Sequence, residues 1–259
     1  MNAGLVRAVG HRDLLVLLVR KELKIKYKGT MLGFLWSLLN PLLMMVVYSV
    51  VFSLLVRFQV PRYPIFLLSG MLPWNAFTIA LSTASMTIVG NGNLIRRVSF
   101  PREFLPLASV LASVINLVLS MAVLLGFALV FRQPLGAPLL LLPVLLLLQL
   151  VLTAGICLVL AGLMVYFRDI ENLITIAITV VFFVTPVIYP LSALGHSGVR
   201  QFLELNPLLW LITAYQNVWH DDRWPDPHSL LALTLTSVVA LALGLWAFRR
   251  LEPRFPEEV

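Results

Sequence analysis

Charge is scarce in this chain. Only 12% of its 259 residues are Asp, Glu, Lys or Arg, while 60% are hydrophobic; an ordinary soluble domain carries about 25% charged residues. That excludes a separate water-soluble domain of any size. The apolar residues gather into runs near the ~20 residues that cross a bilayer as a helix, so the chain reads as a multi-spanning membrane protein.

Other absences narrow the function. Cys157 is the single cysteine and sits in an apolar run, which excludes an intrachain disulfide framework or thiolate metal site and leaves a small core residue. The four lysines, Lys21, Lys24, Lys26 and Lys28, all lie near the N-terminus. No G-x-x-x-x-G-K-[ST] pattern exists, and the chain does not bind nucleotide by that route. No Asp, Glu, Lys, Arg or His falls inside the apolar spans set out below, whereas proton- and sodium-coupled carriers usually need an intramembrane ionisable group or a broken-helix ion site. A transporter lacking both is a passive pore or takes its energy from a partner. Leu14 to Val19 runs into Arg20-Lys21-Glu22 with no small-residue cleavage site, so the N-terminus is expected to be mature protein. No internal repeat is visible.

Six segments remain as predicted spans: 34–56, 63–88, 105–130, 139–165, 172–189 and 229–248. An even number puts both termini on one side. Fourteen of the nineteen Lys and Arg lie on that side; only Arg57, Arg62, Arg132, Arg200 and Arg223 lie on the other. The positive-inside rule makes both termini cytoplasmic. The net charge of +7 flanks spans rather than interleaving with aromatics, which points to anionic lipid head groups and away from nucleic acid. The expected fold is an all-α membrane protein: six transmembrane helices, an N-terminal amphipathic helix and a re-entrant external hairpin before the last span.

Between the spans lie the candidate functional segments. Arg20, Lys24 and Lys28, at i, i+4 and i+8, form a basic stripe joined by Lys21, while Leu14, Leu15, Leu18 and Ile25 fall elsewhere. This describes a helix on the membrane surface, and equally a plain basic flank. Gly90 to Glu103 mixes apolar and basic residues, as in a small helix docking on a partner protein with Asn93 as N-cap; a bare connecting loop is the plainer reading. Asn206-Pro207 divides the longest external connection, and Pro207 to Trp219 is too short to span. A re-entrant hairpin that closes an exit fits this, as does a lid on the outer face. His220-Asp221-Asp222, with Asp226 and His228, has metal-ligand chemistry by residue type but reads as solvated loop charge, and no metal is expected.

Aromatic residues punctuate the spans: Phe34, Trp36, Tyr48 and Phe52 in the first, Trp74 and Phe77 in the second, Phe182, Phe183 and Tyr189 in the fifth. Such faces suit a sliding sugar polymer, and they also suit interfacial belts and helix packing. Asn40, Asn75, Asn116 and Gln149 read as amide glue between helices, and Pro41, Pro73 and Pro186 as kinks.

At these residues the chain resembles the ABC-2 type permeases of polysaccharide and polyol-phosphate export, which serve O-antigen, capsule and teichoic acid. The matching pieces include Tyr27 to Pro41, Leu72-Pro73-Trp74-Asn75, Ser99-Phe100-Pro101-Arg102-Glu103, Tyr166-Phe167-Arg168-Asp169-Ile170, Thr185 to Pro190, Asn206-Pro207 and Arg249 to Phe255. The resemblance implies a homodimer with two nucleotide-binding ABC ATPase subunits beneath it. Those subunits hold ATP and Mg, so this chain is not itself an enzyme and needs no cofactor. It further implies an interface helix up to residue 30, carrying Arg20, Lys21, Lys24 and Lys28, a transmembrane domain over 31–250 and a cytoplasmic tail over 251–259. Asn93, Arg96, Arg97, Phe100, Pro101, Arg102 and Glu103 would form the coupling helix, with Arg168 and Asp169 a second ATPase contact. The aromatics named above would be candidates for the channel wall and Asn206-Pro207 for the external gate. The implied cargo is a lipid-linked glycan crossing the bacterial inner membrane. Rival expectations are an ABC-2 exporter of a drug or lipid, and a membrane enzyme whose site only the 220–228 loop could supply.

Overall fold

The computed structural model describes residues 11–27, 35–51, 60–98, 100–191, 203 and 205–258. Among these residues every regular element is helical. In chain order they are α1 (His11–Tyr27), α2 (Leu35–Val51), α3 (Tyr63–Ser85), the short α4 (Thr87–Gly90) and α5 (Gly92–Arg97), then α6 (Phe104–Val130). A 3-10 turn (Ala137–Leu141) leads into α7 (Leu142–Tyr166), followed by α8 (Ile170–Val184), α9 (Pro207–Gln216) with a π-turn (Asn217–Asp221), and α10 (Pro227–Leu251). A 3-10 turn (Glu252–Arg254) and α11 (Phe255–Glu258) close the chain.

Among the described residues four helices are long and apolar enough to cross a membrane: α3, α6, α7 with its lead-in, and α10 with its extension, at 23, 27, 30 and 28 residues. The first predicted span is described only as the 17 residues of α2, with Pro41 inside it. The predicted second span is cut at Met86, where the chain breaks and restarts as α4. The predicted fifth span, 172–189, is corrected to the 15 residues of α8, about 22 Å at 1.5 Å per residue. Its end has a local cause. Pro186 crowds the residue before it out of helical geometry, and Thr185 is extended at φ −100°, ψ 132°.

Helix starts follow their local chemistry. Asn206 accepts from the Leu208 amide at 3.0 Å ahead of Pro207, and Asp226 accepts from the Ser229 amide at 2.9 Å ahead of Pro227. Each pairs a capping side chain with a proline whose missing N–H is no loss in the first turn. The Asp226 carboxyl is held below its ordinary range chiefly by that Ser229 amide.

α3 is the centre of the bundle, with 78% of its apolar window buried, against 17% for α10. Its Pro73 is accommodated within the helix, and Gln149 of α7 donates to the Pro73 carbonyl at 2.9 Å, so this amide is the interhelical glue expected of it. α7 and α10 approach backbone to backbone. A Cβ on Gly155 would strike the Ala240 backbone, and one on Gly244 would lie 2.9 Å from both the Gly155 carbonyl carbon and Cα. Small residues allow such close packing where lipid supplies no hydrophobic drive between helices.

Candidate functional site

At the basic end of the bundle, segments remote in sequence share one small core. Leu14 and Leu18 of α1, Ile88 of α4, Ile95 of α5, Leu105 of α6, Val165 of α7, Phe248 of α10 and Phe255 of α11 are buried together. The apolar stripe of α1 therefore docks on protein, while Arg20, Lys21 and Lys24 remain exposed. Lys28 lies outside the described residues. Lys21 Nζ donates to Asn91 Oδ1 at 2.8 Å, and Asn91 Nδ2 donates to the Thr87 carbonyl at 2.8 Å. Those bonds engage the Asn91 side chain, so it does not cap α5 although it holds the cap position. Asn93, expected as the N-cap, is an exposed residue inside that helix.

The C-terminal segment completes the junction. Phe255 is fully buried, its ring 5.4 Å from Phe248 and 6.4 Å from Tyr166. Tyr166 Oη donates to the Leu251 carbonyl at 2.9 Å and Arg102 donates to the Glu252 carbonyl at 2.8 Å, satisfying acceptors that a helix end leaves open. Between α5 and this tail lies an open concavity of about 590 Å³, lined by Arg96, Arg97, Phe100 and Arg102 on one side and Glu252 and Pro253 on the other. Burial raises the Glu252 pKa and the neighbouring Glu103 raises it further, against the pull of Arg102. Pro101 and Glu103 are half-buried at this junction, whereas Arg168 and Asp169 are exposed in the turn before α8. The sequence reading named the basic wall and set 251–259 apart as a tail, but gave that tail no part in the junction. The tail's only signal was an apolar Phe255 set among charges.

The aromatics divide. Trp74 and Phe77 are buried inside the bundle, and Trp74 packs on Phe182 at 5.5 Å and on Phe77 at 6.1 Å. Phe182 touches Phe183 edge-on at 5.6 Å. Phe183 and Trp36 stand exposed, at 65% and 47%. Phe34, Phe52 and the Tyr48 side chain lie outside the described residues. Beyond α8, the chain from Thr185 to Ile188 is irregular yet buried. Polar side chains satisfy it: Asn206 Nδ2 donates to Thr185 Oγ1 at 3.0 Å, Gln216 Nε2 to the Pro186 carbonyl at 2.9 Å, and Tyr63 Oη to the Ile188 carbonyl at 2.7 Å. Tyr189 Oη donates to the Phe183 carbonyl at 2.8 Å. Irregular backbone at such a place is tolerable only with internal partners of this kind. A Cβ on Gly70 would lie 2.9 Å from both Gln216 Nε2 and the Val187 carbonyl oxygen.

The far end carries a polar knot where solvated loop charges were expected. His220 Nε2 lies 2.6 Å from the Pro61 carbonyl and Nδ1 lies 2.7 Å from Asp221 Oδ1. Gln133 takes a bond from Arg62 at 3.2 Å and donates to the His220 carbonyl, while the Gly136 amide donates to Asp222 Oδ1 at 2.8 Å. Both ring nitrogens of His220 face acceptors, and only the imidazolium can donate from both. Burial disfavours that charge, but Asp221 and the Pro61 carbonyl outweigh it and raise the pKa above 6.5. Arg62, Arg132 and Asp222, the positive-φ non-glycine residues among those described, all belong to the segments meeting here. Among the described residues no cluster of three His, Cys, Asp or Glu is arranged to hold a metal ion.

The chain is similar along nearly its whole length to known proteins. The chain is 36% identical over 250 residues to the O-antigen export system permease protein RfbA of Myxococcus xanthus, covering 96% of each chain. It is 29% identical over 251 residues to the O-antigen export system permease protein RfbA of Klebsiella pneumoniae, covering 95% of this chain and 94% of that one. Residues 13–219 match the model of the ABC-2 type transporter family, a stretch that takes in most of α1, α5, the aromatic contacts and the broken end of α8 and stops short of α10 and the tail. The chain is a membrane protein with several apolar helices and belongs to the ABC-2 type transporter family.

Proposed function

We propose that this chain is the transmembrane subunit of an ATP-driven exporter that moves a lipid-linked polysaccharide of the O-antigen type across the bacterial cytoplasmic membrane. The observation that carries the reading is its near full-length similarity to permeases named for O-antigen export. A separate nucleotide-binding subunit supplies the energy, with ATP and Mg bound there. It docks from the cytoplasm on the junction of α1, α5 and the tail. Both termini are cytoplasmic, α2 and α8 complete six spans, and α9 belongs to a re-entrant external hairpin.

Two copies pair in this reading. α2 and α8 present apolar faces, with Val46, Val47, Ile176 and Val180 more than half exposed, as a membrane-embedded partner would require. Exposed Trp36 and Phe183 offer flat faces on which sugar rings can stack, and Trp74, Phe77 and Phe182 hold that wall from behind. The knot at the far end and the bonds from Asn206 and Gln216 keep the external hairpin closed until hydrolysis moves the helices below it.

The test is reconstitution of the chain with its partner ATPase in lipid nanodiscs and proteoliposomes. ATP hydrolysis stimulated by a lipid-linked O-antigen, with ATP-dependent movement of that glycan, is expected. A permease that binds no ATPase, or an ATPase stimulated by drugs or simple lipids but never by glycan, refutes the assignment.

A further inference from the structure

We infer that the exposed face of α10 is a binding site for one anionic phospholipid, its phosphate held by Arg249 and Arg250 and one acyl chain lying over Ala242. The inference rests on the membrane reading above, in which this end of the bundle faces the cytoplasm, and it adds a specific lipid to the partners of the permease.

Spacing puts the charge at the foot of an apolar track. Leu231, Leu235, Val238, Ala242, Leu245 and Arg249 follow one another by four and three residues in turn, which lays them along one side of a helix. Leu231, Leu235 and Val238 are each more than half exposed, while the opposite side of α10 buries Leu233, Ser237, Gly244 and Phe248. The threonines beside the track turn their hydroxyls back on their own helix: Thr234 Oγ1 donates to the Leu230 carbonyl and Thr236 Oγ1 to the Ala232 carbonyl, each at 2.8 Å. Between Leu231 and Ala242 the face therefore offers hydrocarbon and no free hydroxyl donor, a surface that lipid tails cover as well as protein does.

Two exposed tryptophans frame this face, Trp224 just ahead of α10 and Trp246 near its end. Nineteen residues separate Pro227 from Trp246, about 29 Å at 1.5 Å per residue, which matches the ~30 Å hydrocarbon core. Tryptophans exposed at both borders mark a surface turned to lipid. Arg249 and Arg250 then stand at head-group level.

At that level the track opens into a concavity of about 410 Å³ formed by Ala242, Leu245, Trp246, Arg249 and Arg250. Ala242 is the small residue that leaves the room. The Arg250 guanidinium lies 5.6 Å from the Trp246 ring centre, a contact that holds it on this face without using an N–H donor. Arg249 is close enough to Glu252 to favour its ionised form, but among the described residues it forms no ion pair, and neither guanidinium donates a hydrogen bond to protein. Two such forks at head-group depth fit a phosphodiester. Their paired charge favours a head group of net negative charge over a zwitterion, whose amine they repel.

The test is native mass spectrometry of the full-length permease in detergent, titrated with phosphatidylglycerol and with phosphatidylcholine of the same chains. The first phosphatidylglycerol binds at least about fivefold tighter than the first phosphatidylcholine. Arg249→Gln and Arg250→Gln each weaken phosphatidylglycerol binding about fivefold and leave phosphatidylcholine as it was. Ala242→Trp, which fills the groove and keeps both charges, weakens both lipids, and Arg223→Gln at the far end changes neither. Phosphatidylglycerol brominated on its chains quenches tryptophan fluorescence, and the quenched fraction falls in Trp246→Phe.

Arginine variants that elute and melt like the wild type and bind phosphatidylglycerol as tightly overturn the inference. So does an Ala242→Trp chain that turns from dimer to monomer with its lipid affinity intact, which assigns the face to a second copy. Lipid binding is read on the permease alone and in either orientation, so failure to recruit an ATPase overturns the exporter reading and not the lipid site.

Discussion

Replacing Gly155 by alanine tests the tightest contact in the bundle. The added Cβ strikes the backbone of Ala240 and Leu241, where no side chain can swing away, so α7 and α10 must separate. Overpacking of this kind costs about 1–3 kcal/mol. At roughly 2–4 °C per kcal/mol for a chain of this size, a mid-range 2 kcal/mol lowers the melting midpoint by about 4–8 °C. Gly244→Ala, whose Cβ would meet the Gly155 backbone from the other side, should do the same. Gly126→Ala in α6 is the control: none of the described residues lies within 4 Å of its added Cβ, and helix propensity favours alanine by up to about 1 kcal/mol. The assay is thermal stability in detergent, read by monodisperse elution after heating. Gly155→Ala and Gly244→Ala midpoints equal to that of Gly126→Ala would refute the backbone contact between α7 and α10.

The far-end knot should be pH-dependent. Because the folded pKa of His220 lies above its unfolded 6.5, its stabilisation is complete below pH 6.5 and is lost as pH rises through the folded value. Hydrogen exchange over 217–223, corrected for intrinsic rates, should be slower at pH 6 than at pH 8, and His220→Gln should abolish the difference. Tyr215→Phe should be neutral or stabilise by about 1 kcal/mol, because the buried hydroxyl has no hydrogen-bond partner among the described residues; a clear loss in thermal stability argues against this. Asn206→Ala removes both the α9 cap and the bond to Thr185 and should lower stability by about 1–2 kcal/mol. The same change should raise leak of a soluble dye through reconstituted vesicles, and an unaltered leak separates Asn206 from the gate.

Much of the architecture was legible because bilayer physics writes itself into composition. A helix buried in hydrocarbon must be apolar for about 20 residues, so the spans corresponding to α3, α6, α7 and α10 stood out directly. The broken end of α8 was harder to read. Thr185 to Tyr189 is as apolar as a span, and hydropathy does not register that a pre-proline residue leaves the helix. Polar partners for that break come from α3 and α9, at Tyr63, Asn206 and Gln216, which no local pattern links to it.

The sequence by itself determined the solvent, the all-helical class and the position of the basic segments, since each depends on residue type and local order. Only the tertiary structure decided that Phe255 plugs the core beneath α1 and α5, that Glu252 faces the arginines across a groove, and that His220 is a half-buried bridge between connections. Those facts depend on which helix ends meet. Helix order and packing at contacts such as Gly155 against Gly244 fix that meeting, and it brings together residues more than a hundred positions apart.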